Sequence, residues 1–145
     1  MIKEKKIAVL GLGYVGLPLA VGLSSSYKII GFDISLDRVS QLSKGIDSTL
    51  EISKDKLLDR LNNKLVITLD PEELNECNIF IATVPTPITI DKKPDLKPLV
   101  KVCKTIARFL KKGDIVIFES TVFPGATEEI CAPELEKNKK GLKSG

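Results

Sequence analysis

The chain has 145 residues and no histidine, with 22 basic and 19 acidic side chains, 43% hydrophobic residues and 28% charged ones. That composition suits one globular domain with a real core and excludes a disordered chain. The lack of histidine removes the commonest general base and metal ligand, and no metal site is expected. The net charge of +3 is local: Lys137, Lys139, Lys140 and Lys143 cluster at the C-terminus, and without them 18 basic residues face 19 acidic ones. A basic tail of this kind suits a helix end, not a nucleic-acid-binding face.

In chain order, Lys6 to Leu10 reads as a first strand, and about Tyr14 to Ser25 as a helix with Pro18 in its first turn, where a missing N–H matters less. No charge falls between Ile7 and Leu23, which resembles a signal peptide. The glycines and proline there serve a strand–turn–helix better, and the stretch is short for a membrane span. A buried strand and helix in a cytoplasmic protein is the expectation, with no membrane partner.

Lys28 to Asp33 is a second strand. Ser35 caps a helix to about Lys44, with Gly45 at C′. Lys54 to Leu61 is helical, Leu65 to Thr68 a third strand, and Pro71 to Asn75 a single turn opened by Asp70. Asn78 to Thr83 forms a fourth strand that runs into Pro85 and Pro87, which stop sheet pairing. Ile88 to Pro94 is an exposed loop. Asp95 caps a helix from about Leu96 to Lys111, Ile115 to Glu119 is a fifth strand, and about Ala126 to Asn138 a last helix. Cys77, Cys103 and Cys131 lack C-x-x-C spacing and read as buried free thiols.

Alternating strands and helices predict an α/β fold of the Rossmann type: a doubly wound parallel sheet, order 3-2-1-4-5, with helices on both faces. The domain is expected over residues 1–136, with 137–145 a basic tail. A full dinucleotide fold usually has a sixth strand, so the chain reads as part of a longer protein.

Gly11-Leu12-Gly13-Tyr14-Val15-Gly16 follows the first strand, and Asp33 ends the second. This is the dinucleotide-binding fingerprint. Gly11 allows the tight turn, Gly13 lets a pyrophosphate approach the backbone, and Gly16 lets the helix pack close to the sheet. The helix N-terminus favours the phosphates, and Asp33 is placed to accept from ribose hydroxyls. Arg38 either covers the adenine face, contacts the ribose side, meets a 2′-phosphate or is solvated. Asp33 would repel a 2′-phosphate, which favours NAD over NADP. Thr83-Val84-Pro85-Thr86-Pro87 and Glu119-Ser120-Thr121 lie at two further strand ends and should converge on the same crevice. Their small hydroxyls suit a ribose, an amide or a water. Thr127 either caps the last helix or faces the cofactor. No catalytic constellation is visible in the chain itself.

These motifs together resemble the UDP-glucose/GDP-mannose dehydrogenases. The resemblance rests on Ile7 to Pro18, Gly31-Phe32-Asp33-Ile34 with Arg38, Val84-Pro85-Thr86-Pro87, Pro94-Asp95-Leu96, Glu119 to Val122 and Pro124 to Glu129. The last two look most like the branch that oxidises UDP-N-acetylhexosamines for capsule and surface polysaccharides. The resemblance implies oxidation of a sugar C6 alcohol to a carboxylate, with two NAD in succession, through a cysteine thioester. It implies that Tyr14, Val15, Asp33, Arg38, Thr86 and Thr127 contact NAD, and that Thr121 sits near the reacting centre and helps position water. The family's nucleophilic cysteine, sugar-binding domain and dimerising central helix have no counterpart here. The expectation is a domain that binds NAD and is inactive alone, with UDP-sugar binding and dimerisation belonging to the full-length enzyme. A non-enzymatic nucleotide-sensing module would not need the Val-Pro-Thr-Pro and Ser-Thr-Val segments. A β-hydroxyacid-type dehydrogenase would differ at the fourth and fifth strand ends.

Overall fold

The structure, a computed structural model, describes residues 4–119 and 127–137. Its centre is a five-stranded parallel sheet: β1 (Lys6–Leu10), β2 (Lys28–Phe32), β3 (Leu65–Thr68), β4 (Ile79–Ala82) and β5 (Ile115–Phe118). The strand order is β3-β2-β1-β4-β5, as expected. The order reverses at β1, which pairs with β2 through Ile7↔Ile29 and with β4 through Ile7↔Ile79.

Side chains alternate across the strands, so each strand feeds two cores. One face carries Ile7, Val9, Ile29 and Ile81 against α1 (Gly16–Leu23), α2 (Leu36–Ser43) and α3 (Lys54–Leu61). The other carries Ala8, Leu10, Phe80 and Ala82 against α4 (Lys97–Ala107) and α5 (Ala132–Glu136). In α4 the buried positions Leu99, Val102, Cys103 and Ile106 fall at helical spacing on one stripe. The sheet is therefore covered on both faces, as a parallel sheet of apolar strands requires.

The local signals act where the sequence places them. The Ser35 hydroxyl accepts from the Arg38 amide at 3.2 Å and caps α2. Gly45 follows α2 at φ +80°. Asp70 opens a 3₁₀ turn, Pro71–Glu76, by accepting from the Glu72 amide at 2.9 Å. The uncharged stretch from Ile7 to Leu23 is β1, the glycine turn and α1.

Two helices differ from expectation at their ends, and the expected ends of the last one, Ala126 and Asn138, lie outside the described residues. Helix α1 begins at Gly16, not Tyr14, because Tyr14 and Val15 belong to the turn, and it ends at Leu23, where the chain tightens through Ser24 to Ser26. Helix α4 ends at Ala107, not Lys111. The Arg108 and Phe109 amides switch to acceptors three residues back, a tighter turn that buries Phe109. The Asp95 carboxylate accepts from the Lys97 amide at 3.0 Å, while Leu96, without a side-chain bond, holds the N-cap position. In the described part of the last helix, a wide π turn, Thr127–Cys131, precedes α5. Pro133 has no N–H for the Glu129 carbonyl, so a regular α-helix cannot run through this point with all its bonds made.

Candidate functional site

The C-terminal ends of β1, β2 and β4 open onto one cavity of about 850 Å³. That is in the upper range for small-molecule sites, and it lies where the strand order reverses, the place ligands take in open parallel sheets.

The floor is the glycine turn. Gly11 has φ +99°, a conformation that disfavours any side chain. Its amide donates to the Phe32 carbonyl at 2.8 Å, which fixes the exit from β1. At Gly16 a Cβ would lie 1.7 Å from the Gly11 carbonyl oxygen and 2.5 Å from the Thr83 hydroxyl. The close approach that Gly16 permits is thus between the start of α1 and the turn itself, more than between helix and sheet. At Gly13 a Cβ would meet nothing within 4 Å. No protein atom needs that space. The amides of Tyr14, Val15 and Gly16 have no acceptor among the described residues. Three free donors at the positive end of α1, beside an open glycine, form a cradle for an anion.

Asp33 stands at the end of β2. Its carboxylate accepts from the Leu12 amide at 2.8 Å and from the Ser35 amide at 2.9 Å, one bond on each oxygen. A carboxylate has about four acceptor positions, so each oxygen keeps capacity for a hydroxyl from the cavity.

Arg38 is held on the same side. Its Nε donates to the Leu12 carbonyl at 2.7 Å. Its Nη1 donates to Asp47 Oδ1 at 2.9 Å and to the Ser48 hydroxyl at 3.3 Å. Its Nη2 is buried without a partner among the described residues. Asp47, the partner that holds Arg38, is not singled out by the sequence. Its side chain is fully buried. Besides Arg38, it accepts from the Thr49 amide and hydroxyl, and through Oδ2 from the Glu51 and Ile52 amides, both at 2.9 Å. Burial pushes this carboxyl up, but the Thr49 hydroxyl, the Ile52 amide, Arg38 and the Thr49 amide outweigh it and hold it at about 2. The loop so formed brings Ser48 and Thr49 to the cavity wall. An Asp between a C′ glycine and Ser-Thr signals a local turn, but no periodicity reveals its link to an arginine on the preceding helix.

On the β4 side the wall is Thr83, Val84, Pro85, Thr86 and Pro87, completed by Lys101 and Thr105 of α4 and by Glu119 after β5. Thr83 is buried, and its hydroxyl is within bonding distance of the Gly11 carbonyl at 2.6 Å and the Leu10 carbonyl at 3.1 Å. With its proton committed to the turn, it braces the cradle. The exposed side chains of Tyr14 and Val15 line the mouth. Gly11, Gly13, Tyr14, Val15, Asp33, Arg38 and Thr83 to Thr86 therefore meet at one cavity, while Gly16 shapes it from behind. Ser120 and Thr121 lie outside the described residues, as does the side chain of Thr127.

The cysteines are all buried. Burial pushes Cys77 up to about 11 and raises Cys103 and Cys131 as well. Buried thiols raised in this way are poor nucleophiles. Among the described residues no cluster of His, Cys, Asp or Glu could hold a metal, and no helix is long and apolar enough to cross a membrane.

Sheet order, glycine cradle and the Asp33 carboxylate at the end of β2 define a dinucleotide-binding domain of the dehydrogenase kind. Comparison with known proteins sharpens this. The model of the UDP-glucose/GDP-mannose dehydrogenase family, NAD binding domain, matches residues 5–144, and the chain belongs to that family. It is 54% identical over 136 residues to the UDP-N-acetyl-D-glucosamine 6-dehydrogenase of Pseudomonas aeruginosa, covering 94% of this chain and 32% of that protein. It is 48% identical to the enzyme of the same name from Salmonella typhi, with the same coverage. Among solved structures, UDP-D-ManNAc dehydrogenase from Pyrococcus horikoshii superposes with a TM-score of 0.89 at 39% identity, covering 97% of this chain and 34% of that one. The chain spans about a third of the length of these relatives, and its cofactor is NAD.

Proposed function

We propose that this chain is the cofactor half of a UDP-N-acetylhexosamine 6-dehydrogenase, which oxidises the sugar C6 alcohol to the carboxylate. The observation that carries the reading is the convergence on one cavity of the free amides at Tyr14, Val15 and Gly16, the open space at Gly13 and the Asp33 carboxylate. These residues fit NAD: a donor cradle for the diphosphate, and an acceptor pair for the ribose hydroxyls. NAD supplies the hydride acceptor when bound.

The chain's own residues would bind and orient. The amides at the start of α1 would hold the diphosphate. Asp33, fixed by the Leu12 and Ser35 amides, would accept from the adenosine ribose. Val84, Pro85 and Thr86 would bound the far end and keep water from it. Ser120, Thr121 and Thr127 complete the proposed site, with Thr121 positioning water at the reacting carbon. The thioester-forming cysteine would come from the remainder of a full-length enzyme, because the three buried thiols here suit no such role. UDP-sugar binding and dimerisation belong to that remainder too. A cytoplasmic setting agrees with three unpaired thiols. The domain is proposed to span residues 1–136, followed by a basic tail.

The test is replacement. The N-terminal third of the Pseudomonas enzyme is exchanged for these 145 residues, and NADH formation with UDP-N-acetylglucosamine is followed. The chimaera is expected to turn over, and the 145-residue chain alone is expected to show none. A folded chimaera without NAD binding, or oxidation of a UDP-sugar by the chain alone, would overturn the reading.

A further inference from the structure

We propose that Asp47 is a positioning residue that sets cofactor choice: by tying Arg38 into a closed network, it withholds from the 2′-phosphate of NADP the cation that would recognise it. The proposal rests on the reading of the cavity as an NAD site and adds a determinant to it.

An acid at the end of β2 selects the ribose 2′-hydroxyl, and a nearby arginine is the usual means of accepting a 2′-phosphate. This chain has both, so Asp33 alone does not explain a preference. The arginine is present but committed. A guanidinium recognises phosphate best with two adjacent N–H groups in parallel. It has two such nitrogen pairs that Arg38 could offer, Nε with Nη2 and Nη1 with Nη2. Nε is bonded to the Leu12 carbonyl at 2.7 Å and Nη1 to Asp47 at 2.9 Å, so each pair has one member engaged. Nη2 is buried in the wall.

Charge leads to the same place. Asp47 is fully buried and Arg38 nearly so, at 11% exposure, and together they are neutral. Asp33 then leaves this end of the cavity at −1. Among the described residues lining the cavity, Lys101 is the other cation, and it belongs to α4, beyond β4. Asp47 cannot easily release its partner, because four further donors hold it from Thr49, Glu51 and Ile52. The lock belongs to the loop after α2 and not to the glycine motif.

The test compares NAD and NADP affinity by calorimetry on the 145-residue chain. Asp33→Ser alone is expected to weaken NAD and leave NADP weak. Adding Asp47→Asn to it removes the anion that neutralises Arg38, with the bonds to the Leu12 carbonyl and the Ser48 hydroxyl still in place, and is expected to tighten NADP about tenfold relative to Asp33→Ser, the yield of one charge-assisted contact. A second variant keeps Asp47 intact: Asp33→Ser with Ile34→Arg places an untied cation at an exposed lining position, and should gain NADP affinity similarly. Full NADP binding by Asp33→Ser alone, equal loss of both cofactors on adding Asp47→Asn, or no gain from Ile34→Arg would each overturn the proposal. Failure of the unaltered chain to bind NAD would instead overturn the reading of the cavity, and the proposal with it.

Discussion

The two sides of the cavity are built differently. On the β2 side, polar groups hold one another: Asp33 takes two backbone amides, Arg38 spans from Leu12 to Asp47, and Asp47 pins the loop through Ile52. On the β4 side, shape comes from Pro85 and Pro87 and from the short link in which the Asp95 amide reaches back to the Pro87 carbonyl. One wall is fixed by a network built around a buried ion pair; the other carries no such pair among its described residues and combines proline rings with the bonds of the Thr83 hydroxyl and the Asp95 amide. Under the function proposed above, the network side would hold the adenosine end of the cofactor, and the β4 side would face its other end.

The comparison can be broken first at the glycine turn, which serves both sides. Gly16→Ala puts a Cβ 1.7 Å from the Gly11 oxygen, and forced overpacking of this kind costs about 3 kcal/mol or more. Urea unfolding should show that loss and calorimetry should show NAD binding abolished. Gly13→Ala meets nothing; its melting temperature should stay near that of the unaltered chain while NAD affinity falls, since the added methyl occupies ligand space.

Asp47→Ala comes next. Removing one partner of a buried ion pair costs about 3 kcal/mol, so its urea midpoint should fall well below that of Thr83→Val. The same carboxylate makes stability depend on pH. Its folded-state value of about 2 lies below the ordinary 3.8, so its contribution is complete above about pH 4 and is lost as pH falls towards 2, roughly 2 kcal/mol in all. In an acid titration, Asp47→Asn should flatten this part of the stability curve; an unchanged curve would mean that the β2 side is not held by charge.

Smaller effects sharpen the contrast. Thr83→Val leaves the Gly11 carbonyl without its hydroxyl donor and should cost about 1 kcal/mol, measured by thermal melting, with NAD affinity falling as the cradle loosens. Gly22→Ala lies on the exposed side of α1, where a Cβ meets nothing. It should raise stability by about 0.5–1 kcal/mol and leave affinity alone.

Sequence gave the β2 side unevenly. Asp33 and the three motif glycines were legible because their roles are local: a turn, a strand end, a helix start. All five strands were legible from apolar runs bounded by turn residues, and their order followed from the βα alternation. Arg38 was singled out with its role open, because its partners, Leu12 and Asp47, lie 26 residues before it and nine after, on other elements. Asp47 is illegible for the same reason: a polar residue in a loop is ordinary until the fold buries its side chain. Thr83 is legible at the crevice from its place at a strand end, but the bond of its hydroxyl to the Gly11 carbonyl, 72 residues away, is not. The end of α4 is not legible because the buried Phe109 goes with a tighter turn, and the π turn beside Pro133 is not a pattern of apolar spacing.

The most direct measurement is calorimetric titration of the 145-residue chain with NAD, with NADP and a UDP-sugar alongside. The account expects saturable one-site binding of NAD, much weaker NADP and no binding of the sugar nucleotide. A folded chain that takes up no NAD, or that binds NADP equally well, would contradict it.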